Sequence, residues 1–313
     1  MSPSVNSDDV SPVTVVIPCR TERRWTTLVQ AVESAKAQNP APAEIVVVAD
    51  HNARLFDKIK HELDGVTVLT NRFRRGAAGA RNTGAFHAIT PLVAFLDDDV
   101  RAHQGWLAGL LAPFADPAVT GTGGAILPAW SGSRPAWFPD EYLWTVGASH
   151  APAPSEATPA PEVWSASMAV RRETFVRVGG FPEPVGRSTD RPQTPEDALF
   201  PRMSEGGGHL MFVPDARIHH PVGPERMTFR YFLHRCFVAG QTGAISGRGH
   251  LQRAAPGALL RNLRAGSLPR TWAVVAGMTA NAMGGVVQLT TRPPAPRAQP
   301  VQNQKKIAAG VRR

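Results

Sequence analysis

Three adjacent carboxylates, Asp97-Asp98-Asp99, close the apolar run Leu92-Val93-Ala94-Phe95-Leu96. Like charges this close repel, so they call for a cation or for solvent. A hard divalent ion, Mg²⁺ or Mn²⁺, takes such oxygen ligands, keeps several waters and also binds a substrate's phosphates. Arg72, Arg74, Arg75 and Arg81 surround Gly-Ala-Ala-Gly-Ala at 76–80, ahead of a helix. Glycine admits a phosphate close to the backbone, and a helix N-terminus adds positive potential. The segment lacks the Gly-Lys-Ser/Thr ending of a Walker loop, and no GxGxxG follows the first strand. Glu196-Asp197 follow Pro195 at a helix start. A carboxylate there takes a proton from an attacking hydroxyl, or serves only as an N-terminal helix acid. His219-His220 end a late strand, where imidazole is either structural or completes a coordination shell begun by carboxylates.

The elements that must position these groups are legible from periodicity. Residues 13–18, 44–50, 66–69 and 92–96 read as strands, the first two as buried ones. Helical spacing falls between them at 25–38, 53–63 and 76–89, and again at 104–114. Repeated β-α units predict a doubly wound, mostly parallel sheet. Ligands sit beyond the carboxyl ends of such strands. Pro18, Asp50 and Asp97–Asp99 all fall there. After residue 120 the pattern changes. Strands are expected at 121–127, 164–170, 211–213 and 216–219, and a short helix at 172–178. Residues 151–161 read as a Pro- and Ala-rich loop, and 183–195 as a polar loop suited to a lid.

Charge is divided along the 313 residues. Residues 1–225 carry 20 Lys+Arg and 25 Asp+Glu, whereas 226–313 carry 14 Lys+Arg and no acid. That excludes a uniformly basic nucleic-acid binder and predicts a mildly acidic body with a basic, helical C-terminal extension. Cys19 and Cys236 make neither a disulfide framework nor a zinc site and read as reduced thiols. The polar, acidic start has no basic segment followed by an apolar run, so no export signal is expected. The uncharged stretch 271–291 is long enough to span a bilayer, which takes about 20 residues. Its Ala, Gly and Thr content, with Asn281 and Gln288, fits equally a helix lying in a membrane interface or one packed in a soluble core.

Six segments in order resemble family 2 glycosyltransferases of the GT-A fold. They are VVIPCRTERRWTTL at 15–28, EIVVVAD at 44–50, GAAGARNTGA at 76–85, VAFLDDDV at 93–100, SMAVRRETFVRVGGF at 167–181 and PEDALFPRM at 195–203. The resemblance covers about residues 12–240. It implies an inverting, metal-dependent transfer from a nucleoside-diphosphate sugar (UDP, dTDP or GDP) to a hydroxyl acceptor. By the same resemblance Pro18, Arg20 and Glu22 line the base, and Asp50 bonds it. Arg81 meets the diphosphate. Asp97, Asp98 and Asp99 hold ribose and metal, with His220 as a further metal ligand. Glu196-Asp197 are the catalytic pair, with Asp197 the base. Ser165 and Ser167 meet the donor or acceptor sugar.

The sequence departs from the family pattern at Ala49-Asp50-His51, where Asp-Asp-Gly is common, and at Cys19-Arg20, where Thr-Tyr is common. No QxxRW follows the Glu-Asp pair, which argues against a processive synthase. Arg235–Gly240 and the Ala-rich tail resemble actinobacterial members. The expected organisation is a disordered start at 1–11 and a GT-A domain at 12–225. A helical basic extension is expected at 226–291 and a disordered tail at 292–313. The body is then a cytoplasmic enzyme, peripheral on the inner face of the plasma membrane, acting in polysaccharide or cell-envelope synthesis. The alternatives are a sugar nucleotidyltransferase and a non-catalytic glycan-binding protein with a degenerate site.

Overall fold

A computed structural model describes residues 12–149, 154–182, 195–246 and 250–290, without the side chains of 195–197, 242–246 and 250–256. The expected lid at 183–194 lies outside these residues, as do both termini expected to be disordered.

One sheet organises the body. Its first four strands are β1 (Val13–Cys19), β2 (Glu44–Ala49), β3 (Thr67–Thr70) and β4 (Leu92–Leu96). They pair in parallel in the order β3-β2-β1-β4. The crossovers are α1 (Trp25–Lys36), α2 (Ala53–Glu62) and α3 (Ala77–His87). β1 and β4 are buried throughout, as strands covered on both faces must be. α3 lies close against β1: a Cβ at Gly84 would come within 2.4 Å of Val16 Cγ1.

The second half mixes directions. β5 (Arg101–Ala102), β6 (Val119–Trp130), β7 (Thr158–Ala160), β8 (Ser167–Arg171) and β9 (His209–Val222) complete nine strands. β8 runs antiparallel between β4 and β6, and β6 runs parallel to β9. The two short strands expected at 211–213 and 216–219 are one strand. Val213 pairs with Gly124 and Arg217 with Ala125, so a bulge sets aside Pro214-Asp215-Ala216. The expected loop at 151–161 also contributes: Thr158–Ala160 pairs with β9. α4 (Trp106–Leu111) is shorter than expected and passes into a 3-10 turn at Ala112–Ala115, where Pro113 removes a helical donor.

α5 (Arg172–Arg177) and α6 (Pro195–Met203) follow β8, and α7 (Phe229–Ser246), α8 (His250–Arg264) and α9 (Leu268–Thr290) follow β9. α7 is held to the body by an aromatic seam. Phe232 meets Trp137, Phe138, Tyr142 and Phe229 at centroid separations of 5.3–5.8 Å. α9 packs along α7. The body thus has the GT-A architecture with a helical C-terminal region.

Candidate active site

The carboxyl ends of β1, β2 and β4 converge as the topology requires. Asp50 follows β2 and is buried. Its Oδ1 accepts a hydrogen bond from Asn71 Nδ2 (2.7 Å), and its Oδ2 accepts one from the Gly76 amide (2.9 Å). Gly76 can present that amide because it has φ +137°, a conformation open to glycine. A carboxylate has about four acceptor positions, so two remain for a ligand. Asp50 therefore fixes the loop before α3 as well as facing the crevice. Asn71 carries no signal in the sequence and was not among the expected site residues.

Pro18 is buried beside it at the end of β1, while Arg20 and Glu22 are exposed on the rim. Asn52 Nδ2 bridges the Arg20 carbonyl and Glu22 Oε2, both at 3.1 Å. Glu22's own backbone amide and Asn52 hold its carboxyl below the usual carboxylate range.

The acidic triple is divided among two arginines and an imidazole. Asp97 pairs with Arg81 on α3. Arg24 Nη1 reaches both Asp98 Oδ1 (2.8 Å) and Asp99 Oδ2 (3.1 Å). His220 Nε2 lies 3.9 Å from Asp99 Oδ2. Asp98 is the most buried of the three side chains, at 8% exposure against 29% for Asp97 and 15% for Asp99. Burial pushes its carboxyl up to about 6 against the pull of Arg24. Asp98 therefore anchors Arg24, and Asp97 and Asp99 on either side of it are the more exposed carboxylates. Arg24 is a second residue that sequence reasoning missed. The spacing of a contact spanning 74 positions carries no signal.

His220 stands on β9. Burial holds its imidazole below the usual range, against the pull of Asp99. Its Nδ1 is buried without a hydrogen-bond partner among the described residues, and its Nε2 lies 3.4 Å from Arg226 Nη1. A neutral imidazole beside a carboxylate is a donor pair that a hard divalent cation accepts. Of the expected metal trio, the structure brings together Asp99 and His220, whereas Asp97 is drawn to Arg81. No three His, Cys, Asp or Glu side chains converge as a ready-made cage among the described residues. The expected partner of His220, His219, instead stacks on His103 at 4.5 Å, away from Asp99.

Other expected contacts fall differently. Ser167 is fully buried, and its hydroxyl accepts the Trp106 indole N–H at 3.0 Å. With that bond its hydroxyl serves the packing of α4 against β8. Ser165 is also buried. Arg72, Arg74 and Arg75 are exposed along the loop before α3, in contrast to buried Arg81.

Glu196 and Asp197 lie in the first turn of α6; their side chains are outside the described residues. The helix itself is firmly seated. Leu199, Phe200 and Met203 are buried. Arg202 donates to the Val178 carbonyl (2.9 Å) and the Gly180 carbonyl (3.2 Å). Asn82, next to Arg81, clamps the same turn through both its amide atoms to Phe181, each at 2.8 Å. The Arg81 helix and the Asp197 helix are thus tied to one turn.

The Glycosyl transferase family 2 profile matches residues 14–179. The chain is 28% identical over 234 residues to glucosyl-dolichyl phosphate glucuronosyltransferase of Haloferax volcanii, covering 73% of this chain and 75% of that one. It is 30% identical over 254 residues to the pre-mycofactocin glycosyltransferase of Mycobacterium tuberculosis, covering 78% of this chain and 49%, about half, of that relative. Among solved structures it superposes on a mannosyltransferase from Pyrobaculum calidifontis in complex with GDP-Man and Mn²⁺. The TM-score is 0.53 at 19% identity, over 98% of this chain and 81% of that one. It also superposes on GalNAc-T7 with UDP, GalNAc and Mn²⁺. Here the TM-score is 0.52 at 22% identity, over 68% and 44% of the two chains. These likenesses show the fold. With the profile spanning more than half of its length, the chain belongs to glycosyl transferase family 2 and is a glycosyltransferase.

Proposed function

We propose that this enzyme moves a sugar from a nucleoside-diphosphate donor to a hydroxyl acceptor, with inversion and with a divalent cation. The observation that carries the reading is the convergence of Asp50, Asp97, Asp99, Arg24, Arg81 and His220 at the carboxyl ends of β1, β2, β4 and on β9. The free acceptor positions of Asp50 take the ring N–H of a pyrimidine such as uracil or thymine, or the N–H groups of guanine. Pro18 packs beneath the base, with Arg20 and Glu22 at its rim. Asp97, held by Arg81, accepts from the ribose hydroxyls.

Asp99 and His220 would hold Mn²⁺ or Mg²⁺. Such an ion neutralises charge on a diphosphate leaving group. Both solved relatives described above carry Mn²⁺ in their complexes. Arg24 and Arg81 keep the acidic cluster from repelling the phosphates. Asp197, on the seated helix α6 with Glu196 beside it, takes the proton of the acceptor hydroxyl as that oxygen attacks the anomeric carbon. One carboxylate base without a covalent nucleophile gives a single displacement and hence inversion. Asp197→Asn is expected to abolish transfer while nucleotide binding stays within about twofold. Retained turnover in that variant contradicts the assignment. We further place the enzyme at the inner face of the plasma membrane, on the basic C-terminal region.

A further inference from the structure

The structure points to how the C-terminal region meets a membrane. α9 has two unlike faces. Its inner stripe is mostly small: Ala273, Gly277 and Gly284 are buried together with Val274, and Asn281 is half-buried between the two glycines. A Cβ at Gly240 of α7 would come within 1.9 Å of the Asn281 carbonyl oxygen, and one at Gly284 within 2.0 Å of the Phe237 carbonyl oxygen. Asn281 Nδ2 donates to the Cys236 carbonyl at 3.2 Å. The polar group that weakened this stretch as a spanning helix is therefore used against α7.

The outer stripe is large and apolar. Leu268, Trp272, Val275, Met283, Val286 and Leu289 are 40–73% exposed. Its threonines are internally satisfied: Thr279 and Thr290 each donate to the carbonyl four residues back. The one charged residue of α9, Arg270, is engaged with Asp140. A monomeric protein rarely leaves such a contiguous apolar face to water.

By length and composition α9 suffices to cross a membrane. Crossing is incompatible with its packing. α7 lies along it and carries Arg230, His234 and Arg235, which would enter the hydrocarbon with it. We propose that α9 lies in the plane of an anionic bilayer, its outer stripe in the acyl boundary and its inner stripe on α7. Charge complementarity selects that occupant over a second copy of the chain. The region after residue 225 holds 14 Lys+Arg and no acid, six of them beyond residue 290. Two such copies would meet with like charge. This mode rests on the membrane reading above and specifies it.

The test uses the full chain with vesicles of phosphatidylcholine with or without phosphatidylglycerol. Nitroxide labels go on Trp272→Cys and Val286→Cys, since Cys19 and Cys236 are buried. In-plane docking places both labels at the same shallow depth. A spanning helix separates them by about 21 Å, which overturns the proposal. The triple variant Trp272→Ser, Met283→Ser, Val286→Ser changes only exposed positions. It is expected to bind anionic vesicles at least tenfold more weakly, with unchanged melting temperature and unchanged nucleotide release from the donor. Undiminished vesicle binding by the triple variant overturns in-plane docking and leaves a purely electrostatic membrane contact. A wild-type dimer that the triple variant dissolves assigns the face to a second copy instead. No binding of wild type to either vesicle overturns the membrane reading itself, while nucleotide release reports on the transferase independently.

Discussion

At the scale of single residues, two arginines (Arg24 and Arg81) and two asparagines (Asn52 and Asn71) organise the acids on which the chemistry depends. Arg24 spans Asp98 and Asp99, and its removal leaves a carboxylate 8% exposed with no cation. Arg24→Ala is expected to cost about 1–3 kcal/mol of stability in denaturant titrations. Arg24→Lys is expected to recover part of that cost, because an ammonium restores the charge without the planar fork. Asn71 acts on Asp50 through one hydrogen bond. Asn71→Ala should weaken nucleotide binding about tenfold, near 1.4 kcal/mol by calorimetry, with a smaller effect on kcat. The acids themselves were readable, because three carboxylates after an apolar strand are a local signal. Arg24, Asn71 and Arg202 were not, since each works through contacts across the fold. Ser167 shows the reverse limit: its position in a family segment suggested a sugar contact, and its hydroxyl serves Trp106 in the core.

At the scale of elements, the parallel half was legible nearly strand for strand. Each strand there is a short run dominated by Val, Ile and Leu, and each is followed by a polar residue. The second half was less so. β9 carries alternating polar and apolar residues interrupted by Pro214 and Asp215. A bulge and two short strands give the same sequence pattern, and only the pairing with β6 separates them. No element is expected at residues 135–146 from the sequence pattern, yet Trp137, Phe138 and Tyr142 form the seam that holds α7. Phe232 is fully buried in that seam. Phe232→Ala is expected to destabilise the protein by about 3–5 kcal/mol. The seam also lies near the site: Tyr142 OH reaches the Val274 carbonyl of α9 at 3.5 Å, and Gly147 packs on the His220 ring.

At the scale of the molecule, charge and apolar surface are separated. The body is mildly acidic, with Asp50 and Asp97–Asp99 at the strand ends, and the basicity lies in the C-terminal region. Salt acts differently on the two surfaces. Raising ionic strength is expected to weaken binding to anionic vesicles by about tenfold through screening. It should leave the apolar contribution of α9, read as residual sedimentation with vesicles at high salt. The membrane mode was open in the sequence because length and composition of 271–291 fit three outcomes. The close packing of Gly240 on Asn281 and of Gly284 on Phe237 holds the helix to α7, and the vesicle experiments separate in-plane docking from the other two.

The most direct measurement is nucleoside-diphosphate release from a panel of UDP-, dTDP- and GDP-sugars, with Mn²⁺, after EDTA and after Mn²⁺ is restored. The wild type is expected to turn over at least one donor, to lose that activity with EDTA and to regain it with Mn²⁺. Asp99→Asn should lower release at least a hundredfold. Release that EDTA leaves untouched, or an Asp99→Asn variant as active as the wild type, would contradict a cation held by Asp99 and His220.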